Sequence, residues 1–141
     1  MTRRVLIVDD DPMVLSVLKN LFECFQHGHR YVVETARDGA GALMILMCHQ
    51  FDLVLLDMYM PGVSGLDLLK QMYGLGVRAP VLMITGNQDS KAAADALRGG
   101  VFAYVPKPVD LLRLDHLVAL ALGTSDHASP PAQATINPAL A

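Results

Sequence analysis

Four places along this 141-residue chain carry side chains that could act together. Asp9, Asp10 and Asp11 follow an apolar run at 5–8. Asp57 closes the run 53–56, and Thr85 closes the run 81–84. Lys107 stands between Pro106 and Pro108, just past the run 103–105. Each run is short, aliphatic and bounded by turn residues, so each reads as a buried strand. The polar residues therefore stand at strand carboxyl ends. In an open parallel α/β sheet those ends share one edge, and ligands bind there at the topological switch point. Carboxylates gathered at such an edge repel one another unless a cation joins them. Hard oxygen donors favour Mg²⁺, which takes one or two carboxylates, waters and phosphate oxygens. A nearby ammonium and hydroxyl suit a transferring phosphoryl group, whose chemistry needs positioning and charge neutralisation. An aspartate can also be the nucleophile, forming an acyl phosphate.

The elements that must position these groups alternate along the chain. Pro12 is tolerated in a first helical turn, so 12–26 reads as a helix with Met13, Val14, Val17, Leu18, Leu21 and Phe25 on one face. Gly28 ends it. A strand is expected at 31–35, then a helix capped by Asp38 and running to about His49. After the strand ending on Asp57, the segment 59–65 holds Pro61, Gly62 and Gly65 and reads as a loop. Ser64 can cap a helix through Tyr73. A further helix at 89–98 closes on Gly99-Gly100, and the last helix, 110–122, should stop at Gly123. Strand followed by helix, five times over, predicts a parallel sheet covered on both faces.

Composition narrows the function classes. A hydrophobic share of 52% supports a packed core and excludes a disordered chain. A net charge of −3 leaves no basic footprint for direct nucleic-acid binding by this domain, though a fused or partner domain could still bind DNA. No apolar run approaches the roughly 20 residues of a membrane span. The arginines at 3 and 4 are followed by a run that ends in three aspartates, which no signal peptide core contains. A cytoplasmic protein is expected, with Cys24 and Cys48 as buried free thiols. The methionines, among them Met44, Met47, Met72 and Met83, stand at core-like spacing. Gly39 and Gly41 read as turn and helix-packing glycines rather than a nucleotide loop. His27, His29, His49, His116 and His127 form no ligand pattern. Residues 124–141, with three prolines and only Ile136 and Leu140 as large apolar residues, read as a disordered tail or linker stub after a domain at 1–123.

The strings VLIVDDDP, LVLLDMYMPGVSGLDLL, VLMITG and GGVFAYVPKP, in this order and spacing, resemble the signatures of the response-regulator receiver family over residues 4–122. The resemblance implies a flavodoxin-like, doubly wound α/β fold: a five-stranded parallel sheet of order 2-1-3-4-5 with five helices. It implies that Asp57 accepts a phosphoryl group, and that Asp9, Asp10, Asp57 and the backbone carbonyl of Tyr59 hold Mg²⁺. Thr85 and Lys107 would each meet a phosphoryl oxygen, Tyr104 would be the switch aromatic beside Thr85, and Lys107-Pro108 would be a cis peptide. The donor would be a sensor histidine kinase or a histidine phosphotransfer protein. The output would be a partner or domain that the sequence does not name, with a phosphorylation-dependent dimer as one mode.

Plainer roles stand beside these. The aspartates at 9–11 could be a solvated turn capping the first helix, Asp11 above all. Thr85 could merely end a strand, Lys107 could be a surface lysine, and Tyr104 could simply pack. Gly100-Val101-Phe102-Ala103 lacks the acidic residues that often precede the switch tyrosine in regulators that dimerise through the fourth and fifth helices. Tyr59 and Asn87 flank the expected water path to Asp57, and a bulky Tyr59 would slow hydrolysis of an acyl phosphate. Three other functions compete: the receiver of a longer regulator whose output domain is missing, an aspartyl-nucleophile phosphatase, and a non-phosphorylated interaction module on the receiver fold. The second expects an aspartate two residues after the nucleophile, where this chain has Tyr59.

Overall fold

The computed structural model describes residues 1–86 and 90–125. Its elements run β1 (Thr2–Val8), α1 (Pro12–Cys24), β2 (Arg30–Ala36), α2 (Gly39–Cys48), β3 (Leu53–Asp57), α3 (Gly65–Gly74), β4 (Val81–Thr85), α4 (Ser90–Arg98), β5 (Ala103–Pro106) and α5 (Leu111–Ser125). All strands are parallel, in the order β2-β1-β3-β4-β5 that the resemblance implies.

Alternation along each strand builds two cores. Leu6, Val8, Val54, Leu56, Val81 and Met83 point to the layer of α2, α3 and α4. Their neighbours Val5, Ile7, Leu53, Leu55, Leu82 and Ile84 point to α1 and α5. Both faces of the central strands are thereby buried, as a sheet between two helical layers requires. Caps set the helix starts. Asp11 accepts from the Met13 N–H, Asp38 from Gly41 and Ser64 from Asp67. Each cap fixes where a loop from the sheet's carboxyl edge turns back.

Several expectations need correction. Thr2, Arg3 and Arg4 extend β1 beyond the apolar run because they pair with Arg30, Tyr31 and Val32 on β2. α1 ends at Cys24, capped by Phe25. It buries Leu15, Leu18 and Phe22, while Met13 and Val17 of the expected face are exposed. Apolar residues cover more than half of that helix, so spacing alone could not choose the buried side. Met44 and Met47 are also exposed, at 68% and 71%, whereas Met72 and Met83 are buried. α2 contains no charged residue to mark an outer face. Cys24 and Cys48 are exposed free thiols, not buried ones, each at the last position of its helix. α5 runs through Gly123, a residue that costs a helix about 1 kcal/mol without stopping it. Residues 126–141 of the expected tail, and Asn87 and Asp89, lie outside the described residues.

Phe22, 1% exposed and in edge contact with Phe25 and Tyr31, anchors the α1 side. Phe22→Ala is expected to lower the unfolding free energy by about 3–5 kcal/mol in denaturant titrations. Exposed Met44→Ala should cost less than about 0.5 kcal/mol. Similar losses in the two variants would contradict this burial pattern.

Candidate functional site

The sheet order reverses between β1 and β3, and the carboxyl ends of those two strands carry Asp9 and Asp57. Val8 lies opposite Leu56, so the chains emerge side by side. Asp9 remains in the sheet's hydrogen bonding, its N–H donating to the Ala36 carbonyl at 3.1 Å. The Met58 N–H donates to the Ile84 carbonyl at 2.8 Å, which fixes the exit of β3 against β4. The Lys107 N–H donates to the Thr85 carbonyl at 2.7 Å, so the β5 exit is tied to β4 in the same way. Backbone pairing thus places all four chemistry-bearing segments along one edge.

The side chains converge there. Asp9 and Asp57 are buried, at 2% and 4% exposure, and Asp10 is exposed. One carboxylate oxygen from each of Asp9, Asp10 and Asp57 lies within 4.8 Å of the others. Lys107 Nζ donates to Asp9 Oδ2 at 2.9 Å and stands 3.7 Å from Asp57 Oδ2. Asp57 Oδ1 accepts from the Tyr59 N–H at 3.3 Å, and Asp9 Oδ1 accepts from the Asp11 N–H at 2.9 Å. A cleft of about 610 Å³ opens over them, lined by Asp9, Asp10, Asp11, Asp57, Tyr59, Gly86 and Lys107.

Three carboxylates around one ammonium leave an excess of negative charge. Asp57 registers it. Burial first, then the charge of Asp9, pushes its carboxyl from 3.8 up to about 6, against the opposing pull of Lys107 and the Tyr59 N–H. Burial disfavours the Lys107 ammonium. The hydrogen bond to Asp9 and the charges of Asp57, Asp9 and Asp10 outweigh that and hold its pKa above the ordinary lysine value. A pocket of hard oxygen donors with surplus negative charge fits a small divalent cation.

The sequence expectations fare unevenly in position. Asp9, Asp10, Asp57, Tyr59 and Lys107 meet at the cleft, and Lys107-Pro108 is cis. Thr85 is fully buried at the end of β4, and it is Gly86 that lines the cleft. Tyr104 is half-buried and packs on the α2–α3–α4 core. Asp11 both lines the cleft and caps α1, so its capping role and its place at the site coexist. His27 bridges Tyr31 at 2.6 Å and Asp115 of α5 at 2.7 Å. It lies outside the residues lining the cleft.

Known proteins share this fold. The response regulator receiver domain family matches residues 5–119. Response regulator protein PilR of Pseudomonas aeruginosa is 38% identical over 120 residues, covering 85% of this chain and 26% of that protein. Regulatory protein AtoC of Escherichia coli is 36% identical over 119 residues, covering 84% and 25%. A CheY-like receiver domain protein from Methanospirillum hungatei superposes with a TM-score of 0.80 at 28% identity, covering 89% of this chain and 98% of that one. The chain spans about a quarter of the length of those two curated relatives.

The raised Asp57 carboxyl has a consequence for stability. Its folded pKa of about 6 lies above the ordinary 3.8. The folded state therefore holds the proton more tightly, and the protein loses stability as pH rises from about 4 through about 6. Without divalent cations, Asp57→Asn should be the more stable protein near pH ~7.5, by about 1–2 kcal/mol once solvent screening is allowed for. That gap should close as the pH is lowered to about 4. Urea titrations across this range check it, and a gap independent of pH would contradict the assignment.

Proposed function

The chain belongs to the response regulator receiver domain family, and from that premise we propose that it takes a phosphoryl group from a histidine kinase or phosphotransfer protein onto Asp57. The observation that carries this reading is the buried Asp57 carboxylate at the β3 end, with Lys107 Nζ 3.7 Å away and oxygens of Asp9 and Asp10 within 4.8 Å. An Asp57 oxygen attacks the phosphorus of the donor phosphohistidine. An O–P bond forms, the N–P bond breaks, and the imidazole nitrogen leaves with the electron pair. With a pKa of about 6, Asp57 is largely ionised at neutral pH and needs no separate base.

Lys107 neutralises charge on the incoming group, exchanging part of its bond to Asp9 for a phosphoryl oxygen. Thr85 offers its hydroxyl to another oxygen. Mg²⁺ suits this donor set: Asp9, Asp10, Asp57 and the carbonyl of Tyr59 would hold it, supplying further charge neutralisation. Phosphorylation adds charge and three acceptor oxygens, and the demand on Thr85 and Lys107 draws Tyr104 and the α4–β5–α5 face toward a second arrangement. That face would meet an output partner, a following domain or a second copy. The receiver unit comprises the sheet and its helices through α5, which passes the expected boundary at 123, in a cytoplasmic protein whose chemistry is its own phosphorylation and dephosphorylation. Among the described residues, no helix is long and apolar enough to cross a membrane.

Incubation with Mg²⁺ and acetyl phosphate should give one phosphoryl adduct by intact mass, absent in Asp57→Asn and abolished by EDTA. Lys107→Ala should slow its formation roughly 10²-fold. Steady phosphate release from unrelated phosphomonoesters would instead indicate a phosphatase. Tyr59, 46% exposed at the cleft, screens the acyl phosphate from water. Tyr59→Asn should therefore lose the adduct several-fold faster than the parent, and equal lifetimes would reject that role.

A further inference from the structure

Gly65 is the first residue of α3 and is not among the residues lining the cleft. Its N–H donates to the Met58 carbonyl at 2.6 Å. A Cβ placed on Gly65 would lie 2.4 Å from the Asp57 carbonyl oxygen, 2.7 Å from Met58 Cα and 3.1 Å from the Asp57 carbonyl carbon. Real Cβ atoms essentially never approach below 3.0 Å, and backbone atoms cannot rotate aside as a side chain can. Gly65 is not among the glycines of positive φ. The position therefore excludes a side chain for want of space, with no conformational demand behind it.

Neither side can withdraw freely. α3 is held by Leu68, Leu69 and Met72, each at most 1% exposed. Asp57 is paired with Ile84, and the next N–H, that of Met58, donates to the Ile84 carbonyl at 2.8 Å. An added methyl group must force the Asp57–Met58 peptide and the first turn of α3 apart by more than half an ångström. The Asp57 carboxylate rides on that peptide. Its Oδ1 accepts from Tyr59 and its Oδ2 faces Lys107. Displacements of about 1 Å at reacting groups cost roughly 10²-fold in rate.

We propose that Gly65 is a positioning residue for phosphoryl acceptance, its bare Cα letting α3 press the Asp57–Met58 peptide into the pose that aims the carboxylate. This rests on the reading of Asp57 as acceptor. Gly65 acts through the backbone of Asp57 and touches no reacting group.

The fold supplies a matched control. Gly39 is the first residue of α2, is buried and follows the cap Asp38, just as Gly65 follows the cap Ser64. A Cβ on Gly39 would also meet an atom at 2.4 Å, but that atom is Cγ1 of Val63, the end of a side chain. Gly65→Ala and Gly39→Ala thus make the same chemical change at the same helical position, with the same gain in helix propensity.

The experiment compares both variants with the full parent chain. Thermal midpoints establish the folded range. Within it, calorimetry gives Mg²⁺ affinity, and intact mass gives the rate of phosphorylation by acetyl phosphate. Gly65→Ala should lose about 10²-fold in rate and bind Mg²⁺ several-fold more weakly, while Gly39→Ala stays within about twofold of the parent in both. Parent-like values in Gly65→Ala, or equal losses in the two variants, would overturn the proposal. If Gly65→Ala does not fold, amide spectra of the parent decide: on Mg²⁺ addition the Gly65 resonance should move together with those of Asp57 and Tyr59. A Gly65 resonance that stays still would overturn the proposal. A parent that binds Mg²⁺ yet gains no phosphoryl group on Asp57 defeats the acceptor reading, and the Mg²⁺ affinities still judge the positioning role.

Discussion

Surplus negative charge, buried at the edge of a parallel sheet, is the constraint from which the rest of this structure can be read. Asp9 and Asp57 are almost without solvent exposure, and Lys107 is the cation found between them. Taking carboxylates out of water is costly unless partners replace the lost hydration. Among the described residues the partners are one ammonium, the N–H of Tyr59 and the N–H of Asp11. The site is therefore poised to gain stability from any positive charge that enters the cleft, and it resists any further negative charge that arrives alone. The proposed acceptance of a phosphoryl group together with a divalent cation fits that electrostatic profile.

Such a site can persist only because the strands beneath it are tightly held. Every residue of β3 and β4 is buried, and their side chains feed two separate cores. The four segments at the edge are tied by main-chain hydrogen bonds: Asp9 to Ala36, Met58 to Ile84, and Lys107 to Thr85. These bonds fix where each loop begins, and the capped helices α1, α2 and α3 fix where it ends. The repulsion at Asp57 is a local cost carried by a stable frame, the usual arrangement where strain serves function.

The site was largely legible in the sequence because its residues stand at ends of apolar runs, and strand ends are what periodicity marks best. Asp9, Asp10, Asp57 and Lys107 could be placed on one edge from that fact alone. Strand order could not be, since no spacing says which strands are neighbours, and it came only with the family strings. Faces of helices were less legible. α1 carries apolar residues around most of its girth, and α2 carries no charge at all, so the expected burial of Met13, Val17, Met44 and Met47 failed. Cys24 and Cys48 misled as well: each is the last residue of its helix, and each is exposed. The contact of His27 with Asp115 in α5 was not legible because the two stand 88 positions apart.

What remained invisible to residue-type reasoning is contact made by backbone. A pattern of polar and apolar letters describes side chains, yet the closest approaches around Asp57 involve carbonyls and amides. Thr85 shows the consequence. As a letter it offers only a hydroxyl; in the fold it is fully buried, and its carbonyl also accepts from the Lys107 N–H. Lys107 therefore has two attachments. Its main chain is bound to β4, and its ammonium is bound to the carboxylates beyond β1 and β3. A change of charge at Asp57 alters what the ammonium can pair with, and the same residue begins the segment that leads from β5 into α5. One residue thus belongs both to the charged pocket and to the main-chain pairing of β4 with β5.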